Sequence, residues 1–244
     1  MGFLDSIFGG GTPAEKAARL KPKATQKYGD PTTRQKALQQ LGDLKHADAV
    51  PVMMARFTFN VDPQTTDAEE KQHIFESIVE LEKDAVQPVR EFLTKSDQSS
   101  SWALKILSAL LTEDEVIGIV TEELQRLGSS YTRDPEKKEV LLHFLEGKND
   151  ARVGPVLVPL LNDMSDDVKM AALKTLASVK FEPARDAVLE LLTNDETGKR
   201  VQTSCLNLLA ATGWQIQGFR EKVEKRLGDG FTLDKSGTVK KRGA

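Results

Sequence analysis

Cysteine is nearly absent from this chain of 244 residues, where Cys205 stands alone. A single thiol excludes a disulfide framework and a multi-cysteine metal site. Histidine is almost as scarce: His46, His73 and His143 are the only three. They form no His-Glu-x-x-His, and no two stand three to five residues apart, so neither a metal nor another cofactor is expected. An excess of one charge is missing too, with 34 Lys and Arg against 37 Asp and Glu and a net charge of −3. That balance argues against a general nucleic-acid binder, which carries a marked basic surplus. No apolar run approaches the ~18–20 residues of a membrane span. The start, Met1 to Gly11, lacks the basic stretch and long apolar stretch of a signal peptide. These absences lead to the expectation of a cytoplasmic, reducing location, with a peripheral place on the inner membrane face as its variant.

What the chain does have is repetition. The segment Asp166 to Ala177 places Val168, Ala172, Leu173 and Leu176 on one helical face. Asp166 or Asp167 suits its N-cap. A turn with Pro183 follows, then the apolar run Ala187 to Leu192, making a helix–turn–helix unit of about 30 residues. The same frame recurs as Thr33-Arg34-x-x-Ala37-x-x-x-Leu41, His73-Ile74-x-x-Ser77-x-x-x-Leu81, Ser99-Ser100-x-x-Ala103-x-x-x-Leu107, Val168-Lys169-x-x-Ala172-x-x-x-Leu176 and Val201-Gln202-x-x-Cys205-x-x-x-Leu209. A degenerate copy, Lys137 to Leu145, carries Leu141 at the small position. The mean step is about 34 residues, inside the range of stacked repeats. Second helices repeat as well, around Ala49-Val50-Pro51-Val52, Ala85 to Val89, Arg152 to Val156 and Ala184 to Val188. Proline is tolerated there because the first turn of a helix has no intrahelical partner for its N–H groups.

The frame Asp-x-x-Val-Lys-x-x-Ala-x-x-x-Leu and the Val-x-Pro-Val second helices resemble HEAT repeats, about six of them between Asp30 and Leu227. The resemblance implies an all-α fold, a right-handed α-α superhelix of about six helical hairpins. A short β-hairpin is expected at the C-terminal end, where Phe231-Thr-Leu and Thr-Val-Lys240 flank an Asp-Lys-Ser-Gly turn with Gly237 suited to a positive φ. The expected organisation is an amphipathic segment over residues 1–11, a basic linker or first helix over 12–29, the repeats over 30–228, and the hairpin with its basic tail over 229–244. HEAT motifs define a scaffold rather than a chemistry.

Candidate chemistry is sparse. Asp234-Lys-Ser-Gly-Thr looks like the phosphorylation motif of P-type ATPases, but it lacks their α/β domain and reads as a hairpin turn. Gly9-Gly10-Gly11-Thr12 lacks the Gly-Lys ending of a phosphate-binding loop and reads as a hinge. HEAT-like di-iron hydroxylases use paired His-Glu motifs that this chain does not carry. Cys205 falls at a small core position and reads as a buried, inert thiol. Trp102 lies beside Ala103 of the third frame and is expected to be partly buried. The chain is therefore expected not to be an enzyme.

Two surfaces remain as candidates. Residues 61–130 hold 15 acids and 6 bases, while residues 1–60 carry a net positive charge. Glu115, Glu122 and Glu123 belong to that acidic stretch, and the last two lie on a second helix. They are candidates for docking a basic partner segment, beside the alternative of an ordinary solvated face. At the start, Phe3, Leu4, Ile7 and Phe8 recur on one helical face, followed by Lys16, Arg19, Lys21, Lys23 and Lys27. This pattern suits either a membrane or partner anchor or a cap on the first repeat. Met1-Gly2-x-x-x-Ser6 also fits an N-myristoylation pattern. The leading expectation is a scaffold or adaptor that binds a partner protein through the concave face of the repeats, tethered by its N-terminal segment. The alternatives are a HEAT-like lyase or chaperone subunit, similar to the proteins that attach bilin chromophores, and a HEAT-like nucleic-acid binder.

Overall fold

The computed structural model describes residues 10–132 and 134–243. It is all-α apart from a short antiparallel hairpin near its C-terminal end. Thirteen α-helices are found among the described residues. The chain divides into two compact units, one ending at Val116 and the other starting at Ile117.

The first unit opens with α1 (Pro13–Ala24). Thr12 and Glu15 cap it reciprocally, each side chain accepting from the other residue's backbone N–H. Lys21 and Lys23 sit in its last turn, where cations complement the exposed carbonyls. Then α2 (Pro31–Asp43) starts on Asp30, whose carboxylate accepts from the N–H groups of Thr32 and Thr33. The helices α3 (Val50–Ala55), α4 (Gln64–Val79), α5 (Val86–Lys95) and α6 (Ser100–Leu110) follow. First helices α2, α4 and α6 pack in succession, and second helices α3 and α5 pack on each other. The small frame residues Ala37 and Ala103 are buried, as close helix approach requires.

Charge runs through this core. Arg34 of α2 donates two bonds to Glu70 of α4, at 2.8 and 2.9 Å. Arg56, fully buried after α3, donates to Glu70 at 2.8 Å and to Asp67 at 2.7 Å. Lys71 closes the network on Asp67 at 2.7 Å and Asn60 at 2.6 Å. Every one of these groups is paired, the condition under which buried charge is tolerated.

The second unit takes in most of α7 (Glu113–Leu127), then α8 (Glu136–Leu145), α9 (Val153–Leu157), α10 (Asp166–Val179), α11 (Arg185–Thr193), α12 (Lys199–Thr212) and α13 (Arg220–Glu224). First helices α8, α10 and α12 pack in succession. In α10 the four residues of the frame, Val168, Ala172, Leu173 and Leu176, are all buried. Its N-cap is Ser165, which accepts from the Val168 N–H, so Asp166 and Asp167 lie one and two residues past the capping position expected of one of them. Both still stand in the first turn, where they favour the helix. Gly154 of α9 meets the ring of Phe181 so closely that a Cβ there would lie 2.2 Å from it; only glycine allows that approach.

The hairpin pairs β1 (Phe231–Leu233) with β2 (Val239–Lys241), and β2 packs on α12. Its turn forms around the Asp234 side chain, which accepts from the Ser236 hydroxyl at 2.6 Å and the Thr238 N–H at 2.9 Å. Those bonds hold the carboxyl well below the usual carboxylate range. Gly237 takes φ +83° as the turn demands. The motif at Asp234 is thus a turn, with its carboxylate spent on local hydrogen bonds. Among the described residues no helix is long and apolar enough to cross a membrane.

Candidate functional site

Helix α7 carries the acidic residues singled out by the sequence, and its geometry separates them. Glu115 caps the helix start: it accepts from the Thr112 N–H at 2.9 Å and the Thr112 hydroxyl at 2.7 Å, which lowers its pKa. Glu122 is exposed. Glu123, one residue on, faces inward and is 5% exposed. Lys137 of α8 reaches it at 2.8 Å and Arg126 at 2.6 Å. Burial alone raises the Glu123 pKa, but the bonds from Arg126 and Lys137 outweigh it and leave the group ionised below its usual range. Glu123 is therefore withdrawn from the proposed docking face: it holds α7 to α8, and a charge run on a helix does not place every member on the same side.

Glu122 stands at the edge of a groove of about 510 Å³ between α7 and α9. Gly118 and Leu124 of α7 line one side, and Pro155, Val156 and Pro159 the other. The Arg152 guanidinium lies over Gly118, where a Cβ would stand 3.4 Å from it. Asp150 grips Arg152 through paired bonds of 2.9 and 2.6 Å. Together with a backbone bond from Arg152, that grip pulls the Asp150 pKa down to about 2. The Thr121 hydroxyl is already committed to the Ile117 carbonyl at 2.8 Å. What the groove offers is a lining rich in apolar and proline residues, with an acid, Glu122, and a guanidinium, Arg152, beside them. That combination suits apolar side chains of a peptide flanked by charge. Sequence reasoning found Glu122 but missed Gly118 and Arg152. The available signals were a lone glycine inside a helical pattern and an Arg two residues after an Asp.

The other candidates are placed as follows. Lys16, Arg19, Lys21 and Lys23 lie on α1, and Lys27 in the turn after it, with its ammonium 5.5 Å from the Tyr28 ring centre. Arg19 donates to the Gly10 carbonyl at 3.1 Å. Phe3, Leu4, Ile7 and Phe8, with Gly2, lie outside the described residues. His46 and His143 are exposed, and His73 is half-buried. Among the described residues no group of three or more His, Cys, Asp or Glu is placed to hold a metal ion. Cys205 is fully buried, and desolvation pushes its thiol up to about 12, far from a reactive thiolate. Trp102 is half-buried and stacks on Phe57 with ring centres 4.5 Å apart.

No family model and no curated relative matches the sequence. Among the solved structures similar to this chain are two of low TM-score. One is the crystal structure of an engineered protein, at 20% identity and TM-score 0.40, covering 81% of this chain and 96% of that one. The other is human deoxyhypusine hydroxylase in complex with glycerol, at 14% identity and TM-score 0.32, covering 93% of both chains. The expectation that the chain is not an enzyme is corrected: the second of these structures is that of a hydroxylase, and the lack of a recognised motif in this sequence does not exclude catalysis. Both likenesses are too loose to assign an activity.

Proposed function

We propose that this chain is a HEAT-type binding scaffold whose groove between α7 and α9 receives a segment of a partner protein. The observation that carries this reading is the groove itself, with Pro155, Val156 and Pro159 on one side, Gly118 on the other, and Glu122 and Arg152 among its lining. Grooves between helices are common places for peptides to bind through a few apolar anchors. Glu122 and Arg152 line the same groove, so a segment whose apolar anchors are flanked by charged or polar residues suits it. The N-terminal apolar residues followed by the basic α1 support a further part of the proposal, a tether to a membrane or assembly.

Gly118→Leu tests the groove reading. The substitution places a branched side chain in the groove and replaces a helix-interior glycine by a better helix former, so the helix itself is not weakened. A partner captured stoichiometrically from native lysate by the unaltered chain is expected to be lost with Gly118→Leu. Equal capture by both would remove the groove from the account. A chain lacking residues 1–11 separates the tether: it keeps the partner but loses any membrane material.

A further inference from the structure

Three large apolar side chains stand exposed among the described residues: Tyr28 at 79%, Met164 at 73% and Tyr131 at 71%. Each falls in the stretch that leads into a first helix: Tyr28 before α2, Tyr131 before α8 and Met164 before α10. The last two belong to one unit, and a single buried ammonium ties them together. Lys138, fully buried on α8, donates to the Ser130 carbonyl at 2.7 Å and to Asp163 at 2.5 Å. Tyr131 follows Ser130, and Met164 follows Asp163. The second Asp163 oxygen accepts from the Ser165 N–H at 2.9 Å, which fixes the backbone on the far side of Met164. Tyr131 and Met164 thus each follow a residue held by the same ammonium, so each exposed side chain leaves backbone already held in place. Binding there costs little further ordering of the chain.

Carboxylates gather at both helix starts, two of them paired with neighbouring bases. Asp134 and Glu136 stand at the start of α8, and Asp166 and Asp167 at the start of α10, all four exposed. Lys169 pairs with Asp166 at 3.0 Å, and Arg200 with Asp167 at 3.3 Å. Glu139, one turn into α8, has its pKa raised by burial and then by Asp167, Glu136 and Asp134, so the carboxylates at both helix starts act on a common point. An exposed apolar pair within a field of carboxylates is not expected of a surface meant only for water.

We propose that Tyr131 and Met164 anchor a basic segment of a partner protein, in which large apolar residues alternate with Lys or Arg. The apolar residues cover the Tyr131 ring and the Met164 thioether, whose flexible side chain adapts to different shapes. The bases face Asp134, Glu136 and the first turn of α10. None of these residues lines the groove between α7 and α9, so this surface stands or fails apart from that one.

The test is fluorescence anisotropy with the full chain and a labelled lysine peptide interrupted by two leucines. An all-lysine peptide of equal length and a glutamate–leucine peptide serve as controls. The lysine–leucine peptide is expected to bind the chain, and the double variant Tyr131→Ser with Met164→Ser to weaken it by about tenfold or more. Because both side chains are exposed, that variant should melt where the unaltered chain does. Asp134→Asn with Glu136→Gln is expected to weaken binding a few-fold, a difference that high salt erases. Gly118→Leu should leave this binding unchanged. The proposal is overturned if the chain does not bind the probe, if the double variant binds it equally, or if the all-lysine peptide binds as tightly. It is also overturned if Gly118→Leu abolishes binding, since the peptide would then sit in the groove.

Discussion

The hairpins around α4 and α8 are built differently from those around α10 and α12. In α4 the buried residues are Glu70, Lys71, Ile74 and Ile78; in α8 they include Lys137 and Lys138. In α10 and α12 the buried residues are apolar apart from Thr175 and the thiol of Cys205. Both kinds stack into the same pattern of neighbouring first helices. One kind fills the space between helices with paired charge, the other with methyl groups. Apolar packing tolerates small errors gradually, whereas paired charge fails sharply when one partner is lost.

The largest effect is expected where one carboxylate satisfies two guanidiniums. Glu70→Ala leaves buried Arg34 without its carboxylate and buried Arg56 with Asp67 alone, and should cost about 3–5 kcal/mol in denaturant unfolding. A loss below about 1 kcal/mol would erase the distinction between the two kinds of hairpin. Leu176→Ala is the matching cut in the apolar kind and should cost about 2–4 kcal/mol through the cavity it leaves.

Acid sharpens the comparison further. Burial alone raises the pKa of Asp67, but bonds from Lys71 and Arg56 bring it below its usual range, as Arg126 and Lys137 do for Glu123. Stability from a depressed carboxylate is present above its unfolded pKa of about 4 and is lost as pH falls through the folded value. Amides of α4 and of α7–α8 should therefore lose hydrogen-exchange protection as pH falls below about 4, before those of α10 and α12. Uniform loss would contradict the account.

Smaller effects complete the series. Thr175 donates to the Leu142 and Ala171 carbonyls at 3.2 and 3.0 Å, and Thr175→Val should cost about 1 kcal/mol or less. The exposed pair Asp150–Arg152 should show itself only in titration: an NMR midpoint near 2 for Asp150, returning toward the ordinary value in Arg152→Gln.

The same division explains what the sequence made legible. The α10 frame was visible because the residues it buries are hydrophobic, so burial and periodicity coincide. The α8 copy looked degenerate because Leu141 takes its small position, and the buried charges of α4 and α8, Glu70, Lys71, Lys137 and Lys138, were not foreseen because composition alone assigns such residues to the surface. Glu123 was placed on an exposed face for the same reason; its buried partner Lys137 lies on another helix, and no local pattern joins them. Gly237 and the tail hairpin were readable from turn chemistry, which is local. The groove at Gly118 was not, since it arises from two helices and an arginine whose juxtaposition only the fold creates.

The most direct test of the groove as a binding site is site-specific photo-crosslinking in the native host. A benzophenone side chain is placed in turn at Gln125, at Val156, and at Glu221 on α13 as a control. The account predicts that Gln125 and Val156, on the two walls, both link to one and the same protein and Glu221 does not. Adducts from Glu221 alone, or different proteins from the two walls, would contradict it.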